Sequence, residues 1–181
     1  MTSNPPSLVE VIQGDITAIE ADAIVNAANS ALKAGGGVCG AIFRAAGADA
    51  LTRACDAIGH CPTGEAVITP AFGIKSARYI IHAVGPVYSA YPPDKARELL
   101  RSTYKAAIRL AAAQGCRSIA FPAISTGIYG YPLDEACREA ADVCQAEAAA
   151  HGLTIKLVAF DAGTAATLRK QVSARGNPAQ P

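Results

Sequence analysis

The sequence predicts an α/β fold built on a mixed sheet. Three observations carry that expectation. Short apolar runs alternate with longer amphipathic stretches through most of the chain, the pattern left by strands that alternate with helices. Two of those runs, in SLVEVIQGDI and ADAIVNAAN, precede the first helical stretch, which points to a sheet that is not purely parallel. No internal repeat or linker-like break divides the chain, so residues 1–174 are expected to form one domain, followed by a disordered tail over 175–181.

In the first strand Leu8, Val9, Val11 and Ile12 are apolar and partly alternating, and Gly14-Asp15 ends it. Ala23 to Val25 form the buried run of the second. Helices are expected from Val38 to Ala46 and from Asp49 to Ile58. CPTGEAVITPAFG reads as turn, short strand, turn, and ARYIIHAVGP as a strand closed by Gly85-Pro86. The clearest helix is PPDKARELLRSTYKAAIRLAAAQGC. Pro92-Pro93-Asp94 open it, Leu99, Ala106 and Leu110 share a face, and Gly115 closes it. RSIAFPAI is a buried strand, and YPLDEACREAADVCQAEAAAHG is a helix ended by Gly152. LTIKLVAFD and TAATLRKQVSA are the last strand and the last helix.

The chain has 181 residues, 51% of them apolar and 17% charged, which is a globular composition with enough length for a core. A net charge of +1 argues against the strong field that tight duplex or anionic-membrane binding needs. No apolar stretch approaches the roughly 18 residues of a membrane span. The opening MTSNPPSLVE lacks the apolar region of a secretory signal, so a cytoplasmic protein is expected, and nothing demands more than a monomer. The six cysteines form no CxxC pair and no Cys/His group with zinc spacing, which predicts free thiols in a reducing compartment and no metal or cofactor. His82 and Tyr79, on a strand, read as structural.

ALKAGGGVCGAIFRAAG, residues 31–47, carries the chemistry. A glycine run before a helix lets the backbone take positive φ and lets another molecule approach the main chain. The free N–H groups of a helix start add partial positive charge, so Gly36, Gly37 and Val38 form a candidate anion site. A second loop, STGIYG from Ser125 to Gly130, also follows a buried strand and precedes a helix. Its Ser125 and Thr126 offer hydroxyls, and Gly127 and Gly130 offer close approach. Two facing loops suit a pyrophosphate. There is no GxxxxGK[ST], and no GxGxxG with an acid about 20 residues on, so neither a P-loop ATPase nor a dinucleotide dehydrogenase is indicated. Asp15, just past a strand end, can accept from an exocyclic amine such as adenine's, or cap a turn. Asn26 and Asn29 end the second strand and can bind sugar hydroxyls. Phe160 ends the last strand and can stack on a base.

In order along the chain, VIQGDIT, ADAIVNAAN, GGGVCGAI, PTGEAVIT, YIIHAVGP and FPAISTGIYGYP resemble the macro domain family over roughly Val11 to Pro132. The nearest subfamily looks like the MacroD type, with its O-acetyl-ADP-ribose deacetylases and mono-ADP-ribosyl hydrolases. The resemblance implies a three-layer α/β/α sandwich with an ADP-ribose cleft, and ADP-ribose or an ADP-ribosylated protein as partner. Asp15 would bind the adenine amine, with Ile16 lining that pocket through its main chain and Phe160 against the ring. Gly36, Gly37 and Val38 would form one phosphate loop. Ser125, Thr126, Gly127, Ile128 and Tyr129 would form the other, with Tyr129 near the distal sugar. Asn29 would bind the distal ribose, and Asn29 and Cys39 would be the catalytic pair.

MacroD-type hydrolases usually read GGGVDGAIH here, whereas this chain reads GGGVCGAIF, with Cys39 for the Asp and Phe43 for the His. That Asp is held to orient the attacking water, and a thiol does not accept hydrogen bonds as a carboxylate does. Other macro domains with a small apolar residue there still hydrolyse ADP-ribosyl esters through the loops and the substrate's own phosphate. The expectation is therefore an ester hydrolase, with a non-catalytic ADP-ribose reader as the alternative. A thiol beside an anion loop also suggests a site of oxidation, or simply a small apolar filler.

Overall fold

The structure, a computed structural model, describes residues 8–176. Its strands are β1 (Val9–Gln13), β2 (Ala23–Ala27), β3 (Ala66–Pro70), β4 (Tyr79–Ala83), β5 (Ser118–Phe121) and β6 (Thr154–Ala159). Its helices are α1 (Gly37–Ala46), α2 (Ala48–Ile58), α3 (Pro93–Ala113), α4 (Leu133–His151) and α5 (Ala162–Gly176). Single 3-10 turns occupy Ile16–Ala18 and Tyr88–Ala90. Helix α5 continues through Gly176, two residues past the expected domain end. The rest of the expected tail, 177–181, and residues 1–7, on which the signal-peptide reading partly rested, lie outside the described residues.

The helix ends follow local rules. Helix α3 opens on Pro93 with Asp94 in its first turn, where the ring needs no N–H and the carboxylate meets the positive end of the dipole. Helix α4 carries Asp134 and Glu135 at its start and closes on Gly152, left-handed at φ 65°, whose N–H donates to the Ala148 carbonyl. Strands β2 and β4 are buried on both faces, so they read as unbroken apolar runs rather than alternating ones.

The sheet order is β1-β6-β5-β2-β4-β3. Among the described strands only β3 runs antiparallel to its neighbour, pairing with β4 through Ile68↔Ile81. The mixed character was expected from the two early strands, but β1 and β2 do not pair and each runs parallel to its neighbours. It arises instead because the connection between β3 and β4 holds no crossover helix, so the chain can only double back.

Two apolar layers sandwich the sheet. Ala23, Val25, Ile81 and Phe121 face α3, α4 and α5. Ile24, Ile80, Ala120 and Val158 face α1 and α2. The expected three-layer α/β/α architecture is the observed one. Strands β2 and β5 are neighbours, paired at Ala23↔Ile119, yet the helices that follow them lie on opposite faces. Such a reversal opens a crevice beyond the carboxyl ends of the strands. Both glycine-bearing loops leave the sheet there.

Candidate functional site

The first loop is held by a side chain. Asn29 Oδ1 accepts from the Lys33 N–H at 3.0 Å, and Asn29 Nδ2 donates to the Lys33 carbonyl at 2.9 Å. This clamp closes a tight loop in which Leu32 is left-handed at φ 58°. One Nδ2 hydrogen and one Oδ1 lone pair of Asn29 remain for a ligand. Helix α1 follows with Gly36 as its N-cap and no side-chain cap. The N–H groups of Gly36, Gly37, Val38 and Cys39 make no hydrogen bond among the described residues. Gly37 sits at φ +56°, where a side chain is disfavoured. At Gly40 an added Cβ would lie 2.5 Å from the Gly35 carbonyl oxygen, so only glycine lets the helix pack directly on its own loop.

The second loop closes on itself. Gly130 N–H donates to Gly127 O at 3.0 Å and Tyr131 N–H to Ser125 O at 2.9 Å. Its two hydroxyls differ from expectation. Ser125 Oγ donates to the Pro86 carbonyl at 2.9 Å, and Thr126 Oγ1 donates to the Ala123 carbonyl at 2.8 Å. Each spends its one proton on a backbone carbonyl outside the loop, so neither is available as a donor to an anion. The N–H groups of Gly127, Ile128 and Tyr129, unbonded among the described residues, are the donors that remain.

Between the loops lies a cleft of about 430 Å³. Asn29, Gly36, Gly37, Val38 and Cys39 line one side, and Ser125, Thr126, Gly127, Ile128 and Tyr129 the other. Phe160, 83% exposed, stands at its edge beside Asp161. Three expected site residues do not line it. Asn26 is 1% exposed and turned into the α1/α2 layer, where its Nδ2 meets His82 Nδ1 at 3.0 Å. Its amide is buried against His82 and not exposed to the cleft, so its expected contact with a sugar is not open in this structure. Ile16 is buried in the same layer. Asp15 caps the 3-10 turn, its Oδ1 accepting from Thr17 N at 2.9 Å and Thr17 Oγ1 at 2.7 Å. It lies beyond the cleft wall, next to the point where Gly14 N–H donates to the Ala159 carbonyl. Another hollow, about 310 Å³, lies on α3 between Arg101, Lys105 and Arg109, but no loop reaches it.

The sequence profile of the Macro domain family matches residues 25–140, which include both loops and the Asn29 clamp. The chain belongs to the macro domain family. An O-acetyl-ADP-ribose deacetylase of Salmonella gallinarum is 56% identical over 138 residues, covering 74% of this chain and 75% of that protein. The macrodomain of Oceanobacillus iheyensis, solved with ADP, superposes with a TM-score of 0.88 at 37% identity, covering 96% of this chain and 95% of that one. A Trypanosoma brucei macrodomain in complex with ADP-ribose gives 0.82 at 39% identity, covering 91% and 68%. The Oceanobacillus protein has also been solved with an asparagine, a glycine or an aspartate substituted. Those positions are spaced seven and then three residues apart, the spacing of Asn29, Gly36 and Cys39 here.

In this macro domain Cys39 is 7% exposed, and its Sγ donates to the Lys33 carbonyl at 3.7 Å. The same carbonyl receives Asn29 Nδ2. Burial in the cleft wall, with a smaller contribution from Cys39, raises the pKa of the Tyr129 phenol. Asp161 accepts from Thr164 N at 2.7 Å, and hydrogen bonds of this kind hold its carboxylate pKa down while it caps α5. All six cysteines are free and buried. No helix among the described residues is long and apolar enough to cross a membrane. Gly85 and Asp161 line the cleft although the sequence reading passed over them as site residues. The Gly-Pro pair after β4 marked Gly85 as a turn, but its partner lies far along the chain and left no local trace.

Proposed function

We propose that this macro domain binds ADP-ribose and hydrolyses ADP-ribosyl esters, either O-acetyl-ADP-ribose or mono-ADP-ribosylated Asp and Glu. One observation carries the reading: two sets of unpaired backbone N–H groups, Gly36 to Cys39 and Gly127 to Tyr129, converge on a single cleft. A diphosphate satisfies both sets at once, each charge-assisted bond contributing about 1.5–3 kcal/mol. Phe160 at the edge offers a face for adenine. Asp15, with no bond to its Oδ2 among the described residues, offers an acceptor for the adenine amine, and Ile16 its main chain. Asn29 and Tyr129 lie where the distal ribose would follow.

In the hydrolytic step water adds to the ester and the ribose oxygen leaves. Asn29, fixed by both bonds to Lys33, orients the sugar, and the loop N–H groups hold the diphosphate against it. Cys39 acts as a packed donor to Lys33 and not as a base. The water's proton passes by way of an oxygen of the substrate's own phosphate to the departing ribose oxygen, which leaves as a hydroxyl while the acyl group leaves as the acid. Prepositioned donors of this kind supply rate enhancement without a side-chain base.

A second reading has its own support. The thiol of Cys39 offers no carboxylate to orient water, which favours an ADP-ribose reader. Calorimetric titration with ADP-ribose, beside turnover of O-acetyl-ADP-ribose by wild type and Asn29→Ala, separates the two. Turnover lost in Asn29→Ala supports the hydrolase. Binding with no turnover in the wild type supports the reader.

A further inference from the structure

The second loop rests on a segment that borders the cleft through Gly85 alone. Residues 85–91 join β4 to α3 and run behind it. Ser125 Oγ donates to the Pro86 carbonyl at 2.9 Å, and the Tyr88 N–H donates to the Tyr129 carbonyl at 2.9 Å. The Tyr88 and Tyr131 rings meet edge to face at 4.8 Å. Gly85 forms a notch against this contact, because an added Cβ would lie 2.3 Å from Ser125 Oγ and 2.5 Å from Ile124 Cγ2. Ser125 itself is 6% exposed and left-handed at φ 68°, a conformation a serine adopts only when its surroundings impose it.

We propose that Ser125 is a positioning residue whose hydroxyl bond to Pro86 holds the second loop in the conformation that turns the Gly127, Ile128 and Tyr129 N–H groups into the cleft. Its role rests on the reading of that cleft as a diphosphate site, but it makes no contact with the ligand through its side chain. The bond and the left-handed backbone are coupled. The hydroxyl reaches Pro86 in this backbone conformation, and the conformation brings Ser125 O to the Tyr131 N–H, which closes the loop. The absence of a side chain at Gly85 leaves the space the hydroxyl occupies. Ligand affinity is therefore set in part by Gly85 and Ser125 through the shape of the loop.

The test is calorimetric titration of ADP-ribose into wild type, Ser125→Ala, Ser125→Gly and Gly85→Ala, each with its ligand-free thermal midpoint. Ser125→Ala is expected to raise Kd about tenfold while the midpoint moves by no more than about 4 °C, the size of one lost hydrogen bond in a domain of this length. Ser125→Gly tolerates the left-handed backbone but lacks the donor, and is expected to bind as weakly as Ser125→Ala. Gly85→Ala, which displaces the same hydroxyl from the other side, is expected to weaken binding likewise. Hydrogen exchange at Gly127 and Ile128 in the ligand-free protein is expected to quicken in all three variants, although no residue in the loop's outer turn has changed. Affinity within twofold of wild type in either Ser125 variant overturns the proposal, as does full recovery in Ser125→Gly, and both leave the cleft reading intact. Failure of the wild type to bind ADP-ribose overturns the cleft reading and this role with it.

Discussion

Asn29 and Cys39 meet at one atom. The Lys33 carbonyl oxygen accepts Asn29 Nδ2 at 2.9 Å and Cys39 Sγ at 3.7 Å. The residue that would hold the distal ribose and the residue at the start of α1 are thus tied through one backbone group. The thiol's place in the cleft is that of a weak donor bracing the Asn29 loop.

Asn29→Ala removes both bonds to Lys33 and, on the proposed function, the contact with the distal ribose. Each lost bond costs roughly 1 kcal/mol. The expected outcome is no detectable ester turnover and a thermal midpoint lower by about 4 °C, read by differential scanning fluorimetry beside the turnover assay. Turnover retained within tenfold would remove Asn29 from the mechanism.

Gly37 and Gly36 separate backbone conformation from space. Nothing lies within 4 Å of an added Cβ at either position, but Gly37 has φ +56° and Gly36, the N-cap, has φ −85°. Gly37→Ala is expected to lower unfolding free energy by about 1–2 kcal/mol, and Gly36→Ala to leave it nearly unchanged. Urea denaturation of both variants checks the contrast. Equal losses would contradict the conformational explanation.

His82 makes stability fall in mild acid. It is fully buried, with Nε2 3.0 Å from Thr69 Oγ1 and Nδ1 3.0 Å from Asn26 Nδ2, and burial lowers its pKa from 6.5 to about 4. The Thr69 hydroxyl donates to the Pro70 carbonyl, so Nε2–H donates to Thr69 and Nδ1 accepts from Asn26. Between pH 6.5 and about 4 the unfolded chain binds a proton that the folded protein refuses. The contribution is therefore complete above pH 6.5 and lost as pH falls towards 4, at about 1.4 kcal/mol per pH unit. Denaturation at pH 7, 6 and 5 is expected to show that slope in the wild type and a shallower one in His82→Gln. Parallel slopes would assign the loss to other groups.

Glu139 is 3% exposed, with its carboxylate 3.0 Å from Arg97 Nε and 2.6 Å from Arg101 Nη1. Arg101→Met leaves that buried charge with the more exposed Arg97 as its main partner. The expected loss is about 1–3 kcal/mol of unfolding free energy, with ADP-ribose affinity unchanged because α3 and α4 meet there, away from the cleft. Denaturation and calorimetry on one preparation check both halves.

Much of this was legible locally. Glycines ahead of a helix announced the first loop, because positive φ and free N–H groups are properties of a few consecutive residues. Pro93, Asp94 and Gly152 marked helix ends for the same reason. What stayed hidden depends on partners far along the chain. The Ser125 hydroxyl looked like an anion ligand until Pro86, 39 residues earlier, was found to take its proton. Asn26 looked like a twin of Asn29, but it still lies within β2, where its amide is buried on His82 of the neighbouring strand, whereas Asn29 has reached the loop. The antiparallel strand was hidden likewise, since AVITP carries no mark of its direction.

Whether two loops and Asn29 hydrolyse the ester without a carboxylate at position 39 is decided by release of free ADP-ribose from a carboxylate-linked mono-ADP-ribosylated protein, with wild type beside Cys39→Asp. Release by the wild type over many turnovers is the predicted result, with Cys39 a neutral brace at the helix start. No release by the wild type, with activity gained in Cys39→Asp, would contradict it and make the protein a reader whose water has lost its orienting group.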